Sequence, residues 1–448
     1  MKAYRADLLD FTGTPAWGDT TTSPAVRWRP DHWLVVDDEG RITSVQPEEP
    51  APHIEREDWR GHLLMPGFID THVHSPQIGV MASYGTELLD WLNNYTFPSE
   101  RAWADPEVAA RGSAHFLDAL LAHGTTAAAV YPTVHKASAD ALFAAAAQRG
   151  MRLIAGKVLM DRHAPDGLRD TDVAQTERDC VDLISRWHGQ GRNAYAVTVR
   201  FAPTSSPEQL AMAGALCRAD PSLYMQTHVA ENRDEVRWVG ELFPQARSYL
   251  DVYARAGLLH RRSILAHGIW LDADDRAALR ASGAQVAFCP SSNLFLGSGL
   301  FDWPAMLAAD AAVSIASDVG GGTSLSMQRT LADGYKVQAL AGHRLTAWCA
   351  LHAATLGAAR ALGLEHEIGS LEPGRMADFT VWRWSATTVD AERQRLARDL
   401  HEKFFAWMTL ADERHLRGTW VAGRPLHLPA TTSDDGAPVG VDTERRAA

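Results

Sequence analysis

The chain has 448 residues, 46% hydrophobic and 22% charged, a balance typical of folded proteins and enough length for a barrel-sized core plus a smaller unit. Its formal net charge is −12 and its basic residues are scattered, which argues against a surface built to grip nucleic-acid phosphates. No apolar run is long enough for a membrane span and the first residues hold no signal-peptide core, so no membrane is expected and the cytoplasm is the expected compartment.

Residues 1–62 contain short β-type runs such as "HWLVVDDEGRITSV", where Asp38-Glu39-Gly40 reads as a hairpin turn. From residue 63 onward, apolar or β-branched runs alternate with Ala-rich amphipathic stretches. The predicted strands are 63–74, 125–134, 152–161, 195–203, 223–231, 263–270, 285–293 and 313–320. Helical stretches between them include 106–123, 207–219 and 233–257. Eight such alternations predict an α/β fold, a (β/α)₈ TIM-like barrel over residues 63–365. Residues 366–430 return to strand–turn–strand patterns, as in "IGSLEPGRMADFTVWRW" and "GTWVAGRPL". The two flanks, 1–62 and 366–430, are expected to meet in one small β-sandwich domain, and the polar stretch 431–448 is expected to be a disordered tail. The four cysteines (Cys180, Cys217, Cys289, Cys349) lie far apart with no Cys-x-x-Cys pair, which argues against a disulfide framework and a cysteine-ligated metal.

Chemistry in such barrels sits at the C-terminal strand ends. The first strand leads into "PGFIDTHVHSPQ", where His72 and His74 point to the same face. That pair alone reads equally well as metal ligands or as surface histidines. Strand five, "LYMQTHVAE", ends with His228 and then Glu231; strand six, "SILAHG", ends at His267. Strand eight, "VSIASDVGGG", ends at Asp318, followed by three glycines expected to keep the rim low. One histidine at a strand end is more often a hydrogen-bonded rim residue than a ligand. Five ligand-type residues at the ends of four strands are a different matter, because chance seldom assembles them. His72, His74, His228, His267 and Asp318 are therefore candidates to hold one Zn²⁺ and leave a position for water. Glu231, three residues past His228, reads as a proton carrier close to the metal but off it. Asp70 is expected to be buried behind His72, whereas His123, His135, His163 and His188 fit no such pattern.

Other zinc signatures are absent. His366-Glu367 and His401-Glu402 lack the second histidine of His-Glu-x-x-His, and the His-x-Glu…Pro-Cys-x-x-Cys signature of the zinc nucleobase deaminases is missing. Strand four ends "VRFAP" with no lysine to carbamylate and bridge two metals, and Lys157 falls mid-strand, so one metal is expected.

The chain resembles the guanine deaminases of the amidohydrolase superfamily along nearly all its length. The resemblance is carried by "PGFIDTHVHSPQ", "LLDWLNNYTFPSE", "RFAPTSSPEQL", "THVAENRDEV", "AHGIWL", "FCPSSNLFLGSGLF", "SDVGGGTSLSM" and "IGSLEPGRMADF". It implies a zinc-dependent hydrolytic deamination of guanine at C2 to xanthine and ammonia. His72, His74, His228, His267 and Asp318 become the zinc site, with Fe²⁺ the second choice of metal. Glu231 and Asp318 become the catalytic pair. Gln77, Arg200 and Phe201 become guanine-recognition residues, beside His228, Glu231 and Asp318. Arg200 is a planar donor fork suited to O6, Gln77 offers a donor and an acceptor, and Phe201 gives the ring an apolar face. Residues 79–103, longer than a tight connection, are expected to cover the pocket. A homodimer is also implied. His163 and Gly167 depart from the expected Asn and aromatic residue at the pocket margin. The alternative is a related mononuclear deaminase or chlorohydrolase acting on 8-oxoguanine, cytosine or a triazine. A barrel that had lost catalysis would be expected to lack a ligand, and none is missing.

Overall fold

The computed structural model describes residues 1–84 and 91–429, so the expected tail at 431–448 lies outside the described residues. The N-terminal flank supplies β1 (Lys2–Phe11), β2 (Val26–Val36), β3 (Ile42–Gln46) and β4 (Glu55–Pro66). The middle supplies β5 (Phe68–His74), β6 (Thr125–Tyr131), β7 (Arg152–Ala155), β8 (Val158–Leu159) and β9 (Asn193–Val199). It continues through β10 (Tyr224–Val229), β11 (Ser263–His267), β12 (Gln285–Phe288) and β13 (Ala312–Ile315). The C-terminal flank adds β14 (Phe379–Trp382), β15 (Leu416–Val421) and β16 (Arg424–His427).

The middle strands form the parallel ladder β13-β12-β11-β10-β9-β7-β6-β5, with the short β8 also pairing with β9. The ring is nearly closed between its first and last strands: the Asp318 amide donates to the His72 carbonyl at 2.9 Å, and the His74 amide to Val319 at 2.8 Å. This is the eight-stranded barrel that the alternation of strand and helix patterns implies. Every residue of β5, β6 and β9 is buried, as parallel strands sandwiched between helices and a packed interior must be. The interior is lined mainly by small and branched residues such as Ile69, Ala129, Ile154, Ala196 and Ile264, and the helix Leu356–Leu362 packs against it. Tyr224, at the start of β10, donates to the Leu362 carbonyl at 2.7 Å, which places that helix at the N-terminal end of the barrel.

The two flanks build one seven-stranded mixed sheet, ordered β16-β15-β14-β4-β1-β2-β3. The predicted strand 63–74 is in fact two strands. β4 ends at Pro66, paired with Phe379 of the flank sheet, and β5 starts at Phe68 in the barrel. Gly67 makes the transfer, and a Cβ there would lie 2.2 Å from the Thr126 side chain. The predicted strand 285–293 stops at Phe288, because Pro290 opens the helix Pro290–Phe295. The predicted helix 233–257 is likewise two helices, Arg233–Leu242 and Tyr249–Ala256, separated around Pro244.

An ion-pair network joins the flank sheet to the lower end of the barrel. Arg192, just before β9, donates to Asp378 at 2.6 Å and to Glu367 at 2.7 Å, and Arg152 also pairs with Glu367. The upper end, where the strands exit, is left to the ligand-type residues on the strand ends and the loops that follow them.

Candidate metal centre and pocket

His72, His228, His267 and Asp318 each offer one ligand atom, and these atoms all lie within 4.8 Å of one another. His74 joins them: its Nε2 is 3.4 Å from Asp318 Oδ1 and 3.3 Å from His228 Nε2. All five predicted ligands therefore converge, from β5, β10, β11 and the exit of β13. His267 and Asp318 reach the cluster through backbones at φ 72° and 48°, a left-handed conformation unusual for residues with a side chain and common at functional positions.

Hydrogen bonds on the outer side aim the rings inward. His228 Nδ1 donates to the Arg200 carbonyl at 2.6 Å. A carbonyl only accepts, so Nδ1 carries the proton and Nε2 presents its lone pair. His267 Nδ1 lies 2.9 Å from Asn293 Oδ1 and is oriented in the same sense. His72 Nε2 and His267 Nε2, 3.1 and 3.8 Å from the Asp318 carboxylate, are buried with no hydrogen-bond partner among the described residues. Buried imidazole nitrogens facing one another and a carboxylate without donors between them suit a bound cation.

The electrostatics agree with that donor set. Burial pushes His72 down to about 4, against the opposing pull of Asp318, and burial with neighbouring histidines holds His228 well below its ordinary value. Burial would raise Asp318, but the His72 ring beside it overcomes this and keeps it well below the usual carboxylate range. Neutral imidazoles and an ionised carboxylate are the states that ligate. At His267, burial disfavours charge, yet Glu231 and Asp318 outweigh it and raise the ring's pKa. Asp70 sits behind His72 as expected. It accepts the backbone amides of His72 and Ser317 and the Ser317 hydroxyl, and burial pushes it up to about 7.

Glu231 lies beside the cluster, its Oε2 3.5 Å from His267 Nε2 and its Oε1 accepting the Ser298 hydroxyl at 3.1 Å. Burial raises its pKa, with His267 opposing, so it can hold a proton above the usual carboxylate range. Its position depends on a residue the sequence reading missed. Glu235 Oε2 accepts the backbone amides of Glu231 and Asn232 at 3.0 and 3.1 Å, and its Oε1 accepts the Tyr249 hydroxyl at 2.7 Å. Glu235 also completes the capping box that Asn232 begins at the start of the helix Arg233–Leu242.

A cavity opens over the cluster, and Gln77, Arg200 and Phe201 line it together with His74, His228, Glu231, His267 and Asp318. Trp91 and Leu92 line it too, so part of the expected cover, 79–103, reaches the pocket, while 85–90 lies outside the described residues. The three glycines after Asp318 sit against close neighbours. A Cβ on Gly320 would lie 2.9 Å from Gln77 Cβ, and one on Gly321 would lie 2.6 Å from Ser292 Oγ, so glycine permits close packing there. The largest departure from the sequence reading is at Arg200, whose Nη1 pairs with both carboxylate oxygens of Glu100, at 2.8 and 2.6 Å. Gln77 Nε2 donates to the same carboxylate at 2.8 Å.

His163 stands against Trp238, with ring centroids 5.4 Å apart, and Trp238 in turn touches Phe201 at 6.3 Å. Lys157 pairs with the half-buried Asp170 at 2.5 Å, and it is not among the residues lining the cavity. Glu100, Glu235 and Asn293 were not singled out in the sequence, although each lies in a stretch that carries the resemblance and Glu235 has capping-box spacing from Asn232.

The amidohydrolase family profile matches residues 63–426. The chain is 43% identical over 432 residues to the guanine deaminase of Escherichia coli (strain K12), covering 95% of this chain and 98% of that one. The crystal structure of guanine deaminase from Bradyrhizobium japonicum superposes with a TM-score of 0.92 at 33% identity, covering 96% and 99% of the two chains. That of the C. acetobutylicum guanine deaminase, with guanine bound in its active site, gives 0.84 at 26% identity, covering 95% and 99%.

Proposed function

The chain belongs to the amidohydrolase family, and we propose that within it this protein hydrolyses guanine at C2, giving xanthine and ammonia. One observation carries the proposal. The cavity over the ligand cluster is walled by Gln77, Arg200 and Phe201 in a chain 43% identical, over nearly its whole length, to a guanine deaminase.

His72, His74, His228, His267 and Asp318 would hold one Zn²⁺, with Fe²⁺ as the second candidate. When bound, the metal supplies a Lewis acid that makes water a nucleophile near neutral pH. The chain's own residues do the rest. Asp318 orients the water and helps to take its proton. Glu231, buried and raised in pKa, carries a proton to the ring nitrogen and then to the departing amine. The C2–O bond forms, the C2–N bond breaks, and the water is divided between xanthine and ammonia. Phe201 presents an apolar face to the purine, Arg200 faces O6, and Gln77 meets the adjacent edge.

Ammonia release from guanine, 8-oxoguanine, adenine, cytosine and a triazine, with metal analysis of the same sample, tests the proposal. Guanine should be turned over with about one zinc per chain, lost to a chelator and restored by Zn²⁺. Two tightly held metals, or full activity without metal, would contradict the mononuclear site, and preferential turnover of another compound would reassign the substrate. A homodimer in the cytoplasm completes the proposal and is checked by light scattering and cell fractionation. No helix among the described residues is long and apolar enough to cross a membrane.

A further inference from the structure

Glu100 lies where three parts of the fold meet. It belongs to the helix Phe97–Ala102, its carboxylate is 1% exposed, and it sits behind the cavity wall, not on it. Two residues that do line the cavity reach back to it. Gln77 comes from the 3₁₀ turn Ser75–Val80 after β5, and Arg200 from the exit of β9. A carboxylate only accepts, so Gln77 must turn its NH₂ end toward Glu100, which it does at 2.8 Å. The Gly320 amide meets the other end, Gln77 Oε1, at 3.3 Å. The amide's two ends are thereby told apart. Both Glu100 oxygens take Nη1 of Arg200, and the ring of Phe97 lies 5.4 Å from the guanidinium carbon. One acceptor outside the cavity thus fixes the rotation of two polar side chains on its wall, Gln77 and Arg200.

We infer that Glu100 is the positioning residue for substrate choice. It holds the Gln77 amide and the Arg200 guanidinium in the orientation that meets O6 and the adjacent N1–H of guanine, an inference that rests on the guanine proposal above. A carboxylate is suited to this task where a glutamine is not. An amide offers a donor and an acceptor, so Gln77 could pair with it either way round, and Arg200 would lose its counter-charge.

The test is steady-state kinetics of Glu100→Gln and Glu100→Asp in the full-length, metal-loaded protein. For Glu100→Gln, KM for guanine should rise by about 10- to 150-fold, the effect of one hydrogen bond to a charged group. Metal content and kcat should stay near those of the unaltered enzyme, the signature of lost ground-state binding. 2,6-Diaminopurine, which carries an amino group where guanine has O6, should compete better against guanine in the variant than in the parent. Glu100→Asp keeps the charge but draws it back by one methylene, and should show a smaller loss in the same direction. Combined with Gln77→Ala, either change should add less than its separate effect, because both act through one amide. The inference fails if a folded variant keeps the parent's KM and selectivity and loses only melting temperature, or if the effects add in full. Should Glu100→Gln not fold, Glu100→Asp and its pairing with Gln77→Ala decide the matter alone. Absence of guanine turnover in the unaltered enzyme overturns both proposals, whereas normal turnover with unmoved variants overturns only this one.

Discussion

Glu231→Gln is the single change that most directly separates proton transfer from metal binding. The amide keeps the shape of Glu231 and can still accept the Ser298 hydroxyl, but it cannot pick up and release a proton. Turnover should fall by about 10²–10⁴-fold, the usual size of general acid–base catalysis, with metal content unchanged. Loss of the metal in this variant would make Glu231 a ligand, and near-normal turnover would assign the proton to another group. The same distinction governs Asn293. It does not line the cavity itself, yet its contact with His267 Nδ1 turns that ring so that Nε2 faces the cluster.

At the next level, the exit of β10 and the helix Arg233–Leu242 act as one unit because Glu235 belongs to both. It completes the helix cap and takes the amides that set Glu231 in place. Glu235→Ala leaves two backbone N–H groups and the Tyr249 hydroxyl without their acceptor, at a cost of about 1–3 kcal/mol for each group that stays buried. A relaxed connection also moves the proton carrier, and displacement of a catalytic group by about 1 Å can cost 10²-fold in rate. We expect a lower melting temperature together with a reduced kcat at unchanged metal content. A variant that melts early but keeps the parent's kcat would show that the connection holds Glu231 without Glu235.

Across the molecule, the two ends of the barrel do different work. The strand exits carry the cluster, while the opposite end is locked to the flank sheet by Arg192, Arg152, Glu367 and Asp378. Burial would raise the Glu367 carboxyl, but the Arg152 and Arg192 guanidiniums overcome that and hold it below its ordinary value of 4.5. A depressed carboxyl pKa contributes its full stability above the unfolded value and loses it as pH falls through the folded one. Arg192→Ala takes the guanidinium from the buried Asp378 carboxylate and leaves Glu367 with Arg152, and removing one partner of a buried pair costs about 3–5 kcal/mol. Its melting temperature should fall well below the parent's at pH 7, and the gap should narrow below about pH 4.5 as Glu367 is protonated in both. Turnover by the protein that remains folded should be unaltered. A kcat that fell along with stability would show that the two ends are coupled.

Local pattern carried a large share of this molecule. Strand–helix alternation is written in the periodicity of short windows, so the barrel and the β-rich flanks were legible, as were the positions of His72, His74, His228, His267, Asp318 and Glu231 at strand exits. The chain also named Gln77, Arg200 and Phe201, through resemblance and not through periodicity. Element boundaries were less legible. The transfer at Gly67 between two sheets depends on which strand each half pairs with, and an apolar run reads the same in either sheet. Glu100, Asn293 and Glu235 lie within stretches that carried the resemblance, and Glu235 stands at capping-box spacing from Asn232, yet what each one holds was not legible. A carboxylate in "FPSE" looks like any surface acid until the fold brings Arg200, 100 residues away, against it. Whether a polar side chain is buried, and what it then holds, is decided by partners distant in the chain, and only the tertiary structure brings those partners together.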